Sequence, residues 1–258
     1  MNMKVDLCGV TLNNPVMTAS GTFGSGAEYA EFVDLNKLGA VVTKGVANVP
    51  WPGNPTPRVA EVYGGMLNAV GLQNPGIDLF VERDIPFLKQ FDTKIMVNVC
   101  GHSTEEYIEV VERLRDQPVD LLEINISCPN VKEGGIAFGQ DPKAVEAITK
   151  EMKKHAAQPV IMKLSPNVTD ITEMARAAEA GGADGLSLIN TITGMKIDIN
   201  RQKFVLANKT GGMSGPAIHP VAVRMVYQTA QAVSIPIVGM GGICLLYTSP
   251  SPRDVEES

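Results

Sequence analysis

Short apolar runs alternate with amphipathic segments along most of the chain, and each run ends in small or polar residues. Runs rich in β-branched side chains predict strands, and the segments after them place apolar residues at helical spacing. Seven core strands are predicted at residues 15–18, 40–44, 94–99, 121–127, 159–164, 185–190 and 236–239. Helices are predicted between them at residues 28–38, 78–91, 104–115, 142–155, 171–180 and 217–233. A hairpin over residues 4–12, turning at Asn13-Asn14, is predicted before the first strand.

The order of these elements allows two folds, because strands alternating with helices form either an open doubly wound sheet or a closed barrel. Candidate functional residues follow nearly every strand, from residues 19–21 to residues 241–242. The strand ends of a barrel converge on one rim, whereas an open sheet concentrates its site near one crossover. The sequence therefore predicts an α/β fold, a TIM (β/α)8 barrel with an N-terminal β-hairpin. Two long connections, residues 45–77 and 191–216, are predicted to fold over the site as lids.

The sequence changes character at Cys244. The tail CLLYTSPSPRD resembles an in-frame translation of a sequencing-library adapter, so we expect residues 244–258 to be a non-native tail and residues 1–243 to hold the barrel. Seven strands precede this point, so the eighth β/α unit is expected to be missing and the first and seventh strands to be open edges. The alternative is a genuine disordered tail rich in Ser and Pro.

Composition narrows the functional classes. The chain has 258 residues, 44% of them apolar, which fits one soluble globular domain. A net charge of -6 and scattered basic residues disfavour a nucleic-acid partner. No apolar run approaches the roughly 20 residues that cross a bilayer, and no signal peptide is evident, so no membrane contact and a cytoplasmic location are expected. The four cysteines form no C-x-x-C pair, so neither disulfides nor a metal site are predicted.

Two glycine-rich stretches, residues 211–215 and 239–242, are candidates for binding phosphate. Glycine lets the backbone approach an anion closely and point N–H groups at it, and barrels often bind phosphate near their last strands. A phosphorylated cofactor is implied. Ordinary tight turns are the alternative explanation of the same pattern.

Cys128 stands at the end of a predicted strand, where Pro129 turns the chain just beyond the thiol. A thiol with a reference pKa of ~8.5 is partly ionised near neutral pH, and nearby donors would increase that fraction, so Cys128 could act as a nucleophile or a base. The alternative is a small buried apolar residue. His102 is the one histidine near a strand end, and it lies a loop away, which argues against a Cys-His nucleophile.

Lys44 and Lys163 each end an apolar strand. Burying a lysine on the inner rim is costly unless it meets an anion, whereas a lysine that reaches solvent past the strand end is common. For one lysine alone, an anion-binding role and a solvent-exposed position are therefore equally good interpretations. Four asparagines are predicted on the same rim: Asn68, Asn98, Asn125 and Asn190. The combined ring is rich in donors and would suit a flat anionic ligand with carbonyl oxygens.

Five motifs occur together in this chain. They are TASG at residues 18–21, TKG at 43–45, NAVGLQNPG at 68–76, NISCPN at 125–130 and GGMSGPA at 211–217. Jointly they make residues 3–243 resemble the class 1 dihydroorotate dehydrogenases. Cysteine rather than serine at position 128 resembles class 1 and not the membrane-associated class 2. VKEGG at residues 131–135 and NTITGM at 190–195 resemble the subclass 1B catalytic subunit rather than the fumarate-using subclass 1A.

The resemblance implies FMN as cofactor and oxidation of dihydroorotate to orotate in pyrimidine (UMP) biosynthesis, with Cys128 as base at C5 and hydride transfer from C6 to FMN. The substrate-binding residues implied by similarity are Lys44, Asn68, Gly71, Leu72, Asn125, Asn190 and Thr191. The flavin-binding residues implied in the same way are Ala19, Ser20, Lys44, Asn98, Asn125, Lys163, Gly215, Gly241 and Gly242. Family members also hold the flavin phosphate with a Gly-Thr pair after the eighth strand, which this chain does not contain.

Subclass 1B passes its electrons to NAD through a second subunit that carries FAD and a 2Fe-2S cluster. This chain has no dinucleotide fingerprint and no cysteine cluster, so the resemblance implies that those cofactors sit on a partner subunit, beside a homodimer of catalytic subunits. Two rival readings stay open: a related flavin oxidoreductase acting on another dihydropyrimidine, and an inactive truncated fragment.

Overall fold

The computed structural model describes residues 2–126, 132–133 and 136–243, so Cys128 and residues 244–258 lie outside the described residues. The strands are β1 Val5–Leu7, β2 Val10–Leu12, β3 Ala40–Val42, β4 Val59–Val62, β5 Gly65–Asn68, β6 Lys94–Val99, β7 Leu121–Asn125, β8 Lys132–Glu133, β9 Ile136–Ala137, β10 Val160–Lys163, β11 Gly185–Leu188, β12 Ile192–Met195, β13 Ile197–Asp198, β14 Lys203–Phe204, β15 Thr210–Ser214 and β16 Ile237–Gly239. The α-helices are α1 Ser20–Phe23, α2 Ile77–Leu79, α3 Ile85–Leu88, α4 Thr104–Leu114, α5 Pro142–His155, α6 Ile171–Ala180 and α7 His219–Ala230. Short 3-10 helices occur at Leu35–Lys37, Phe138–Gln140 and Pro216–Ile218, and the π-helical turn Phe80–Asp84 joins α2 to α3.

Six strands form one parallel sheet in the order β16-β11-β10-β7-β6-β3. Sheet neighbours are therefore successive units of the strand-helix repeat, as in a barrel. Nearly every residue of β3, β6, β7, β10 and β11 is buried, because helices cover the outer face and side chains fill the inner face. This curled sheet confirms the predicted TIM-type α/β fold.

The first predicted strand, residues 15–18, is reduced to one parallel bridge between Met17 and Ala40. Pro15 has no N–H to donate, and the side chain of Asn14 accepts the hydrogen bond of Val16 N at 3.0 Å. These two effects remove ladder bonds from the segment. Its position beside β3 is nevertheless the one that the barrel requires.

The N-terminal hairpin is confirmed, but its turn is not where the sequence predicted it. β1 pairs with β2 through a turn at Cys8-Gly9 rather than at Asn13-Asn14. Cys8 and Gly9 have φ angles of 53° and 84°, the conformation that a two-residue hairpin turn requires. The side-chain amides of Asn13 and Asn14 instead bond to groups that are distant in sequence.

The hairpin closes the amino end of the barrel. Leu7 and Leu12 pack against side chains of four barrel strands, namely Ala40, Val42, Met96, Leu121 and Ile161. The Cys8 thiol donates to the carbonyl of Asp184, just before β11, at 3.2 Å. Burial, reinforced by the charges of Asp184 and Asp6, raises the pKa of Cys8 to about 11. This thiol is therefore protonated at neutral pH and lies at the end of the barrel opposite the strand carboxyl ends.

The long outer helices begin where the sequence places short polar side chains. Ser103, Asp141 and Asp170 each accept a hydrogen bond from a backbone N–H in the first turn of α4, α5 or α6. α5 and α6 have the predicted bounds, whereas α4 and α7 differ from the prediction by a few terminal residues. Among the residues described, no helix has the length and apolar content needed to cross a membrane.

The prediction of a helix at residues 28–38 was wrong. The segment is a series of turns that ends in the 3-10 helix Leu35–Lys37. Gly26 enters it with a φ of 95°, and Asp34 has an extended backbone. The Asp34 side chain accepts the hydrogen bond of Asn36 N at 3.1 Å, which competes with helical bonding.

The two long connections, residues 45–77 and 191–216, form one sheet together. Its antiparallel strands are ordered β12-β15-β5-β4, and the β13–β14 pair belongs to the second connection. Each connection leaves the carboxyl end of a barrel strand, β3 or β11, so this second sheet stands at that end of the barrel. The connections predicted as lids are thus paired strands.

Candidate active site at the carboxyl ends of the strands

A buried polar cluster lies inside the barrel near the carboxyl ends of its strands. At its centre is Glu123 of β7, whose side chain is fully buried. Ser187 Oγ donates to Glu123 Oε1 at 2.7 Å, and Asn98 Nδ2 donates to Glu123 Oε2. Lys163 Nζ lies 3.4 Å from the same Oε2 atom. Four neighbouring strands therefore contribute to one hydrogen-bonded group.

The register of the sheet explains why these side chains meet. Lys163 lies opposite Asn125 on one side and Ser187 on the other, and Asn98 lies opposite Glu123. Glu123 and Asn125 are two positions apart on β7, so they point to the same face. Side chains of paired residues share a face as well, so all five point into the barrel. Asn125 Nδ2 donates to Asn98 Oδ1 at 3.4 Å.

The segment after the Met17 bridge joins this cluster. Lys163 Nζ donates to Ser20 Oγ at 3.2 Å, and both side chains are buried. Ser20 begins α1 directly after Ala19, whose backbone is extended. Gly21, the next residue, is exposed, and a Cβ added there would meet no atom within 4 Å. The structure thus brings together five residues predicted to bind the flavin: Ala19, Ser20, Asn98, Asn125 and Lys163.

Lys44 adds a second cation to this rim. It follows β3 and its side chain is half-buried. Burial lowers the pKa of Lys44, the Cys100 thiol opposes the shift, and Lys163 and Arg58 lower the pKa further. Within the described residues, no carboxylate forms a salt bridge with Lys44. An anionic ligand would supply the missing negative charge.

The second sheet brings three predicted substrate-binding residues to the same end. Asn68 ends β5, and its Nδ2 donates to a carbonyl of β15 at 3.3 Å. Gly71 has a φ of 76°, and a Cβ there would lie 2.7 Å from Asn54 Cγ, so glycine is required. Leu72 Cδ2 lies 3.4 Å from the place of a Cβ on Gly45, the residue after Lys44. Leu72 therefore lies beside the residue that follows Lys44.

A pocket of about 250 Å³ opens beside Gly71 and Leu72. Its wall includes Trp51 and His102, whose rings stack with centroids 4.0 Å apart. Neither residue was predicted to belong to the site, because each lies in a connection whose path the sequence does not define. The stack joins the first long connection to the loop after β6.

Asn190 and Thr191 follow β11 and lead into the second sheet. Asn190 Oδ1 accepts a hydrogen bond from Thr191 N at 2.7 Å. Asn167 Nδ2 donates to Thr191 O at 3.0 Å, and Asn167 Oδ1 accepts from Thr193 N at 2.9 Å. The loop after β10 therefore fixes the start of the second connection. Sequence reasoning missed Asn167, since an asparagine after a proline is the ordinary composition of a turn.

The three glycines predicted to bind phosphate lie against one another. Gly215, Gly241 and Gly242 have φ angles of 114°, 124° and 71°. A Cβ on Gly242 would lie 2.8 Å from Gly215 O and 2.7 Å from His219 Cβ. Gly215 also precedes the 3-10 turn that leads into α7. Close backbone turns at the start of a helix are suited to an anion.

Cys128, the predicted base, lies outside the described residues. β7 ends at Asn125, whose backbone carbonyl accepts a hydrogen bond from Tyr107 OH at 2.7 Å. Glu123 and Ser187 were missed by sequence reasoning. The available signal for Glu123 was a carboxylate among the apolar residues Leu121, Leu122 and Ile124.

Fold and site together define a (β/α)-barrel protein with a donor-rich, cationic site and adjoining glycine turns. The comparisons with known proteins agree with this class. The sequence profile of the dihydroorotate dehydrogenase family matches residues 2–245. The chain belongs to the dihydroorotate dehydrogenase family, as its motifs predicted, and FMN is the cofactor of that family.

Several curated relatives are similar over nearly the whole chain. Dihydroorotate dehydrogenase B (NAD(+)), catalytic subunit, of Lachnoclostridium phytofermentans is 75% identical over 243 residues, which are 94% of this chain and 81% of that protein. The subunit of the same name from Alkaliphilus metalliredigens is 68% identical, over 94% of this chain and 80% of its own length. That from Geobacter sulfurreducens is 57% identical over the same shares. The predicted resemblance to the B-type catalytic subunit is confirmed.

Proposed function

We propose that this protein oxidises dihydroorotate to orotate in pyrimidine biosynthesis, using FMN. The observation that carries the proposal is the convergence of Lys44, Lys163 and the rim asparagines in a chain 75% identical to a dihydroorotate dehydrogenase B catalytic subunit. Dihydroorotate is a small ring with a carboxylate and carbonyl oxygens, which match cations and amide donors. We further propose that residues 1–243 form the flavin-binding barrel and that residues 244–258 are not part of it.

The residues present fit FMN. The polar edge of its ring system needs hydrogen-bond donors, and Asn98, Asn125 and Lys163 of the buried cluster carry them. The phosphate matches the glycine turns at the start of α7. The residues proposed to hold FMN are Ala19, Ser20, Lys44, Asn98, Asn125, Lys163, Gly215, Gly241 and Gly242. When bound, FMN supplies the acceptor for the substrate hydride.

Lys44 is proposed to hold the negative charge of the substrate. The amides of Asn68, Asn125 and Asn190 would orient the substrate ring. Gly71, Leu72 and Thr191 would bound the same space. In this proposal, the substrate site lies between the second sheet and the rim of the barrel.

Cys128 is proposed as the base. Its Sγ removes the proton from C5 of dihydroorotate while the hydride leaves C6, so each charge has a separate destination. Lys163 would donate to the polar edge of bound FMN, where an ammonium group would stabilise negative charge on the flavin ring. Because Cys8 has a raised pKa and lies at the other end of the barrel, it is not a candidate for this role.

Lys44→Met tests the proposed function. We expect the KM for dihydroorotate to rise about 10- to 100-fold, because a charge-assisted hydrogen bond is worth roughly 1.5–3 kcal/mol. Steady-state kinetics measures this, with Lys94→Met at the amino end of β6 as the matched control. An unchanged KM would contradict the assignment.

The same variant has a pH signature. The pKa of Lys44 is lowered in the folded protein, so the ionised side chain costs stability at pH values below that pKa. The cost disappears as the pH rises towards the ordinary lysine pKa. Lys44→Met should therefore be at least as stable as the parent protein at pH 7.

We propose that the electrons reach NAD through a separate subunit carrying FAD and a 2Fe-2S cluster, and that the reaction occurs in the cytoplasm. The relatives above are catalytic subunits of NAD(+)-type enzymes by name. A homodimer is also proposed. Met66 and Met195 on the second sheet and Tyr63 in the turn between β4 and β5 are exposed apolar side chains, and they support a subunit contact there. Rapid turnover with fumarate, without any second subunit, would contradict the NAD route.

A further inference from the structure

Glu123 is the one fully buried carboxylate within the described residues, and the proposed reaction assigns it no role. Each of its oxygens has a partner: Oε1 accepts from Ser187, and Oε2 accepts from Asn98 and lies 3.4 Å from Lys163 Nζ. A buried carboxylate costs several kcal/mol in desolvation unless it is paired and fully hydrogen-bonded. The cluster meets this condition, yet an apolar residue would avoid the cost altogether.

The position of Glu123 shows what the carboxylate acts on. It stands two residues before Asn125 on β7, one layer deeper in the barrel than the rim. Lys163 Nζ is held between Ser20 on one side and Glu123 on the other. Asn98 is held by the same carboxylate. Both residues that Glu123 holds belong to the set proposed to contact the flavin.

We infer that Glu123 is a positioning residue, which orients Lys163 and Asn98 and sets the electrostatic potential at the flavin. This inference rests on the proposed function, because it assumes that FMN binds at this rim. The negative charge of Glu123 offsets the positive charge of Lys163. A flavin bound here would therefore contact an ammonium group held in one position, while Lys163 and Glu123 together would add little net charge to the site.

Glu123→Gln removes the charge and keeps the shape. The glutamine oxygen can accept from Asn98 and Lys163, and its NH2 group can donate to Ser187 Oγ, so every hydrogen bond has a replacement. The site becomes more positive, which favours gain of electrons. We expect the reduction equilibrium of bound FMN to shift about tenfold towards the reduced form, which is about 30 mV for a two-electron couple.

The measurement is the midpoint potential of bound FMN, determined anaerobically with reference dyes on the full-length gene product. Glu112→Gln, which removes an exposed carboxylate of α4, is the matched control and should leave the potential unchanged. Ser187→Ala keeps the Glu123 charge but removes a donor. It should shift the equilibrium by a smaller factor in the opposite direction, and it tests the inference if Glu123→Gln does not fold.

The outcomes separate this inference from the proposed function. If dihydroorotate reduces the parent flavoprotein while Glu123→Gln has the same flavin potential as the parent protein, the inference is overturned and the function stands. Where Glu123→Gln does not fold, an unchanged potential in Ser187→Ala overturns the inference in the same way. If dihydroorotate fails to reduce the parent flavoprotein while Glu123→Gln still shifts the potential of its bound FMN, the proposed oxidation of dihydroorotate is overturned and the inference stands. A shift in Glu123→Gln alone, with an unchanged Glu112→Gln control, supports the positioning role.

Discussion

Cys128→Ala is expected to lower kcat for dihydroorotate oxidation by about 10²- to 10⁴-fold, because a positioned general base contributes that factor to a proton transfer. FMN should remain bound, since no residue of the proposed flavin set is changed. Stopped-flow reduction of the bound flavin by dihydroorotate measures the affected step directly. Turnover like that of the parent protein would contradict the assignment of the base.

Two further variants make this test specific. Cys8→Ala removes a thiol whose pKa is raised to about 11 at the far end of the barrel, so turnover should be unchanged. Cys128→Ser should recover part of the activity at high pH alone, because a hydroxyl is a far weaker acid than a thiol. Ordinary activity of the serine variant near pH 7 would count against a thiolate base.

Gly242→Ala is expected to weaken FMN binding about 100-fold. A Cβ at this position would lie 2.7 Å from His219 Cβ and 2.8 Å from Gly215 O, so the two glycine turns must separate. The positive φ of 71° adds about 1–2 kcal/mol for any residue with a Cβ. Fluorescence titration of the apoprotein with FMN gives the dissociation constant.

Gly9→Ala is the control for this prediction. Gly9 also has a positive φ, 84°, but a Cβ there would meet no atom within 4 Å. It should lower stability by about 1–2 kcal/mol and leave the FMN affinity intact. Equal losses of FMN affinity in the two variants would show that the glycine turns have no special role.

The barrel could be predicted because its signal is local. Buried strands such as LLEIN and VIMK are apolar runs, and α5 and α6 carry both an Asp cap and helical periodicity. The helix predicted at residues 28–38 does not form, because Asp34 and Gly26 redirect the backbone hydrogen bonds, and hydrophobic periodicity does not report this effect. The second sheet was not predicted for another reason: its strands pair residues that are far apart in sequence.

The site was predictable at its rim but not beneath it. Lys44, Asn98 and Lys163 stand at strand ends, where polar residues indicate function. Glu123 and Ser187 occupy the layer below, and their pairing depends on the register between β6, β7, β10 and β11. A single sequence does not specify that register, so the carboxylate that holds Lys163 could be found only from the structure.

We propose that this protein transfers a hydride from dihydroorotate to FMN, and anaerobic mixing of the flavoprotein with dihydroorotate shows whether it does. The full-length gene product, loaded with FMN, should lose its yellow absorbance rapidly on addition of dihydroorotate, and orotate should leave the colour unchanged. A yellow protein that stays yellow with dihydroorotate would overturn the proposed function and point to another substrate on the same barrel.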